Sequence, residues 1–167
     1  MIVTVDRREF LKGSGLALIA AGGGAGVVEA AGCSRPAPPG PPNGKPDYTL
    51  RIGTGTVELA PDQIVSTLTY NGQFPGPLVR FKEGQRTWVD LFNDTDSPEQ
   101  LHWHGQQVGV DVDGAAEEGT PYVPAHGMRR ISFVPGPSGF RFYHTHVVPR
   151  ADLSRGQYSG LVGPVYI

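Results

Sequence analysis

The chain has 167 residues, room for one ordinary domain, and a formal net charge of −2. So small a net charge gives no electrostatic case for a nucleic acid or an anionic membrane as partner. With 24 glycines, 16 prolines and 18% charged residues, the composition fits many turns and short strands rather than a helical bundle, and the single cysteine, Cys33, excludes an intrachain disulfide.

Residues 1–32 read as an address and not as fold. Arg7–Arg8 precede Phe10, Leu11 and Lys12 and then a Gly/Ala-rich run, "GSGLALIAAGGGAGVV", the pattern of a twin-arginine export signal. The run is short and interrupted by glycine, which argues against a membrane-spanning helix. The expected destination is the periplasm or the cell surface. "AAGC" at 30–33 resembles a lipoprotein cleavage box, with Cys33 acylated as a lipid anchor; cleavage after Val28-Glu29-Ala30 or Ala30-Ala31-Gly32 fits equally well. Residues 33–46, containing "SRPAPPGPPNGKP", show no apolar period and read as an extended linker.

From Asp47 to Ile167 the pattern changes to short alternating runs. "YTLRIGTGTVEL" predicts one bent strand or two, and "IVSTLTY" a strand that stops at the turn cluster "NGQFPGP". "PLVRF" and "RTWVDLFN" follow, split by Glu83-Gly84; "RRISFV" and "FRFYHTH" flank "PGPSG", and "GLVGPVYI" closes the chain. The one weak helical candidate is "RADLSRGQY". Strands at this spacing between Gly/Pro turns predict an all-β domain, an antiparallel sandwich or barrel, over residues 47–167.

Of the five histidines, His102 and His104 flank Trp103, and His144 and His146 flank Thr145. Residues i and i+2 of a strand share a face, so each pair presents two imidazoles together while Trp103 and Tyr143 point the other way, toward a core. Two such strands side by side would converge the four rings. Neutral imidazole ligates copper, zinc, iron and nickel.

"YNGQFPGPLVRFKEGQ", "VDLFNDT", "LHWHG" and "FRFYHTH", in that order, resemble the N-terminal cupredoxin domain of bacterial multicopper oxidases, the laccase-like family, over about Tyr48 to Ile167. The resemblance implies a cupredoxin-like Greek-key sandwich. It implies that His102 binds a type 2 copper and that His104, His144 and His146 bind the type 3 pair. In that family a reducing substrate is oxidised one electron at a time at a type 1 copper, and dioxygen is reduced to water at the trinuclear cluster. The segment "VVPRADLSRGQYSG" is longer than in plant and fungal laccases and resembles bacterial members.

Within "GVDVDGAAEEG", Asp113 matches a family position near the cluster where an aspartate relays protons, which a proton-consuming reduction needs. Asp111, Glu117 and Glu118 read as a solvated acidic loop. "PAHG" stands where the family often has Pro-Pro-Gly, leaving His126 an exposed loop residue with no family role.

The family's remaining cluster ligands lie in a His-x-His-x-His and a His-Cys-His motif of its last domain, and neither motif occurs here. A type 1 site needs a cysteine thiolate, and Cys33 lies outside the patterned region, so this chain is expected to hold no type 1 copper. Two readings follow. One is an oxidase domain working with further cupredoxin domains in cis or trans, the chain being a fragment or truncated product that ends at "GPVYI", where the first domain hands over to the second. The other is a stand-alone copper-binding module without turnover.

Overall fold

The computed structural model describes residues 40–41, 43–149, 151–152 and 154–167; the expected export signal, Cys33 and the start of the expected linker lie outside the described residues. The strands are β1 (Tyr48–Ala60), β2 (Gln63–Tyr70), β3 (Val79–Arg80), β4 (Thr87–Asn93), β5 (His102–His104), β6 (Gly127–Phe133), β7 (Phe140–His144) and β8 (Val162–Tyr166). One sheet has the order β2-β1-β4-β6 and the other β3-β8-β7-β5. From β2 to β7 each successive strand lies in the opposite sheet. The result is the all-β, cupredoxin-like sandwich that the sequence implied. The expectation of purely antiparallel pairing needs amending: β1 pairs β4 in parallel, as β3 does β8. Neither pair is joined by a hairpin, because the chain visits the other sheet in between.

Alternation explains the elements. In β4, Val89 and Leu91 are buried while Trp88 and Phe92 are half-buried. With Leu50 and Ile52 of β1 and Ile131 and Phe133 of β6 they form one inner face. The opposing sheet contributes Trp103, Tyr143 and Val165. Phe81 meets Phe133 and Trp103 edge-on, with centroids 5.4 and 5.5 Å apart. Trp103 packs 5.9 Å from Tyr143, whose hydroxyl donates to the Pro77 carbonyl at 2.7 Å. Both rings are fully buried, and each sits next to a histidine. The residues that flank the imidazoles therefore anchor their strands in the core.

The "NDT" of "LFNDT" also has a structural role. Buried Asn93 donates through Nδ2 to the carbonyls of Ser97, Val123 and Pro124, and its Oδ1 accepts from the Thr95 amide and hydroxyl. One side chain thus ties the loop entering β5 to the loop entering β6.

"RADLSRGQY" forms no α-helix among its described residues; Gly156–Tyr158 is a single 3₁₀ turn, and a second, Ala116–Glu118, lies in the acidic loop. "FRFYHTH" was expected to be strand throughout. The strand ends at His144, because its last ladder partners are His102 and Val162.

Candidate metal centre

β5 and β7 are antiparallel neighbours, with His102 opposite His144 and His104 opposite Phe142. The rings of His102, His104 and His144 fall on the outer face of the second sheet, and one nitrogen from each lies within 4.8 Å of the others. His146, one step beyond the ladder, stands beside them, its ring centroid 5.1 Å from His102 and 6.0 Å from His144. The sequence-predicted quartet is therefore gathered in one place, three members tightly and the fourth at the margin.

Hydrogen bonds set the tautomers. His102 Nδ1 lies 2.9 Å from the Asp113 carbonyl oxygen, and His144 Nδ1 lies 2.7 Å from that of Thr145. A carbonyl only accepts, so both nitrogens carry the proton and each Nε2 is left unprotonated. His146 Nδ1 lies 2.8 Å from Glu117 Oε1, with the same consequence. His104 is oriented differently: it stacks on Phe142 with centroids 4.2 Å apart, and its Nδ1 faces His144 Nε2 at 3.3 Å. Burial lowers the pKa of His144, assisted by the neighbouring His102, His104 and His146, although its bond to the Thr145 carbonyl opposes this. The ring is thereby kept neutral, the form that ligates metals.

Asp113 stands beside His102. Its carbonyl accepts from the Trp103 amide at 3.1 Å as well as from His102, and its Oδ2 lies 3.2 Å from His102 Nδ1. The sequence reading of Glu117 as merely solvated missed its contact with His146. Hydrogen bonding to its own backbone amide, with help from the nearby His146 and His102, holds its carboxyl below the usual value although burial opposes this. Asp111 and Glu118 are exposed, and His126 is an exposed loop residue paired with Asp96 at 2.7 Å.

Glu99 was not singled out by the sequence. It is fully buried, accepting from Thr145 Oγ1 at 3.2 Å and from Arg155 at 3.2 Å, while Arg155 also donates to Ser97 Oγ. This network braces Thr145, between the two histidines of the second pair. Burial raises the Glu99 pKa more than Arg155 and Thr145 lower it. In the window from the ordinary glutamate value up to the raised one, the folded chain binds the extra proton, so folding stability is expected to fall as pH rises. Denaturant midpoints measured across that window should show this slope, and Glu99→Gln should flatten it. An unchanged slope in the variant would assign the pH dependence to other groups.

The multicopper oxidase family model matches residues 51–167. This chain belongs to the multicopper oxidase family. It is 32% identical over 126 residues to the multicopper oxidase mco of Staphylococcus haemolyticus, covering 75% of this chain and 27% of that protein. It is 34% identical over 163 residues to the multicopper oxidase MmcO of Mycobacterium tuberculosis, covering 88% and 30%. Among solved structures, a laccase from Pediococcus acidilactici superposes with a TM-score of 0.62 at 32% identity, over 74% of this chain and 28% of that one. The chain thus spans less than a third of the length of each of these three relatives. Family membership implies a copper cofactor, and a cluster of imidazole nitrogens suits copper.

Proposed function

We propose that this multicopper oxidase domain supplies half of the ligands of a trinuclear copper centre. His102 would hold the type 2 copper, and His104, His144 and His146 would contribute to the type 3 pair. The observation that carries this reading is the convergence of His102, His104 and His144 on one sheet face, with two of the three tautomers fixed so that Nε2 is unprotonated. Copper bound there supplies the one-electron chemistry that reduces dioxygen to water. The chain's own residues orient the rings and exclude water from the inner side, where Trp103 and Tyr143 close the core. Asp113, whose carboxylate lies 3.2 Å from His102 Nδ1, would relay protons toward the site.

The face that carries the histidines continues into exposed apolar side chains, Phe142 and Phe140 of β7 and Tyr166 of β8, on which Arg80 rests at 5.6 Å. A metal centre on an open sheet face beside such a strip is suited to being covered by another folded domain. The reading therefore includes further cupredoxin domains, in cis or trans, carrying the remaining ligands and the type 1 copper. With Arg7–Arg8 as its signal, the chain would be exported folded by the twin-arginine route to the periplasm or cell surface, Cys33 being either its lipid anchor or an unmodified residue at the start of the mature chain.

Oxygen uptake tests this reading. The copper-loaded chain alone is expected to show no sustained substrate-dependent uptake, since residues 47–167 contain no cysteine to ligate a type 1 copper. Uptake should appear when a relative's remaining cupredoxin domains are supplied. Asp113→Asn should then slow it by about 10²-fold without releasing copper. Turnover to water by the chain alone, or full activity of Asp113→Asn, would show the assignment to be wrong.

A further inference from the structure

The four histidines are not held alike. His102, His104 and His144 sit on the β5/β7 ladder, with Trp103 and Tyr143 buried between them as anchors. His146 lies past the end of β7. Its neighbour Thr145 is fixed by its amide, which donates a hydrogen bond to the Leu161 carbonyl, and by its hydroxyl, which donates to Glu99 and accepts from the Val147 amide. Those contacts hold the backbone but leave the His146 ring free to turn, and its side chain is 30% exposed. It borders an open cleft of about 900 Å³ lined by Ser97, Tyr122 and Arg155 among others. A ring so placed would exchange its proton between the two nitrogens and present either one.

The geometry points to Glu117 as a positioning residue for His146, accepting its Nδ1–H so that Nε2 is the nitrogen offered to copper. This inference rests on the reading of the histidines as copper ligands. The carboxylate lies 2.8 Å from Nδ1, and it is exposed, so its position depends on what holds the turn that carries it. That turn, Ala116–Glu118, is tied to the strand of the first histidine pair. The buried Gln100 accepts from the Ala116 amide through Oε1 and donates to the Thr120 carbonyl through Nε2, both at 3.2 Å. The Glu118 and Gly119 amides close the turn onto Ala115 and Ala116. One side chain, two residues before His102, thus sets the height of a carboxylate that orients the one ligand the ladder does not reach. A carboxylate on the far nitrogen also raises the basicity of the ligating one.

Competitive copper titration of the full chain against a chelator of known affinity tests this, read with the electron paramagnetic resonance spectrum of the bound Cu(II). Glu117→Ala should weaken binding about ten-fold and shift the spectrum. Glu117→Gln, which keeps an acceptor oxygen, should recover part of the loss. In a His146→Ala background the effect of Glu117→Ala should vanish. Unchanged affinity and spectrum in Glu117→Ala, or an equal loss with and without His146, would overturn the inference. His102→Ala and His144→Ala in the same titration report separately on the metal site: if they bind copper as the parent does, the copper reading itself fails, and this inference with it.

Discussion

Replacing His102, His104, His144 and His146 together by alanine is expected to abolish tight copper binding by this chain. The largest single loss should come from His144, which is buried and central, with ring centroids 5.2 Å from His102 and 5.4 Å from His104. His146→Ala should cost least, because that ring stands outside the tight group of three. Each inner ligand should be worth at least the ten-fold or more that loss of an outer partner costs. His126→Ala should change nothing, since that ring is paired with Asp96 on an exposed loop. The apo variants should remain folded: the sheet face they alter is already open, and Trp103 and Tyr143 stay in place. Circular dichroism checks the fold, and chelator competition reads the affinity. An unaltered affinity in the quadruple variant would remove copper from this site altogether.

The two histidine pairs show how far a strand pattern reaches. A period of two placed His102 and His104 on one face, and β5 keeps them there although it is three residues long. At the second pair the strand stops at His144, although the His146 ring still stands beside the others. A strand's end is decided by its partners, and β7 runs out of them at His102 and Val162. No local signal in "FYHTH" carries that information. The alternating runs made the sandwich legible, but not the parallel β1/β4 and β3/β8 pairs, which depend on how the chain crosses between sheets. Glu117 looked like any loop carboxylate because its placement depends on Gln100, distant in sequence and joined to Ala116 only through the fold. Glu99 lies in the irregular stretch before β5, where no apolar period marks which side chains turn inward. Its burial depends on Arg155, which returns from the far side of the second pair.

Gly114→Ala is expected to damage both stability and copper binding without touching a ligand. Gly114 has φ +92°, where an L side chain is strained. A Cβ there would lie 1.9 Å from the Leu101 carbonyl oxygen and 2.5 Å from His102 Cα, so the loop must lift away from β5. The residue before it is Asp113, whose carbonyl holds the Trp103 amide and His102 Nδ1. Lifting the loop breaks both bonds, frees the His102 ring and withdraws the Asp113 carboxylate. Backbone strain of about 1–3 kcal/mol and overpacking of about 1–3 kcal/mol act together here. Gly84 is the control: its φ is +75°, but a Cβ would meet nothing within 4 Å. Gly84→Ala should therefore show the strain alone and bind copper as the parent does. Denaturant unfolding of the two apo variants separates clash from strain, and copper titration shows whether the clash reaches the site. If Gly114→Ala loses no more stability than Gly84→Ala and keeps its copper affinity, the approach of this loop to β5 does not hold the His102 ring. The Asp-Gly pair would then serve only to shape its own turn.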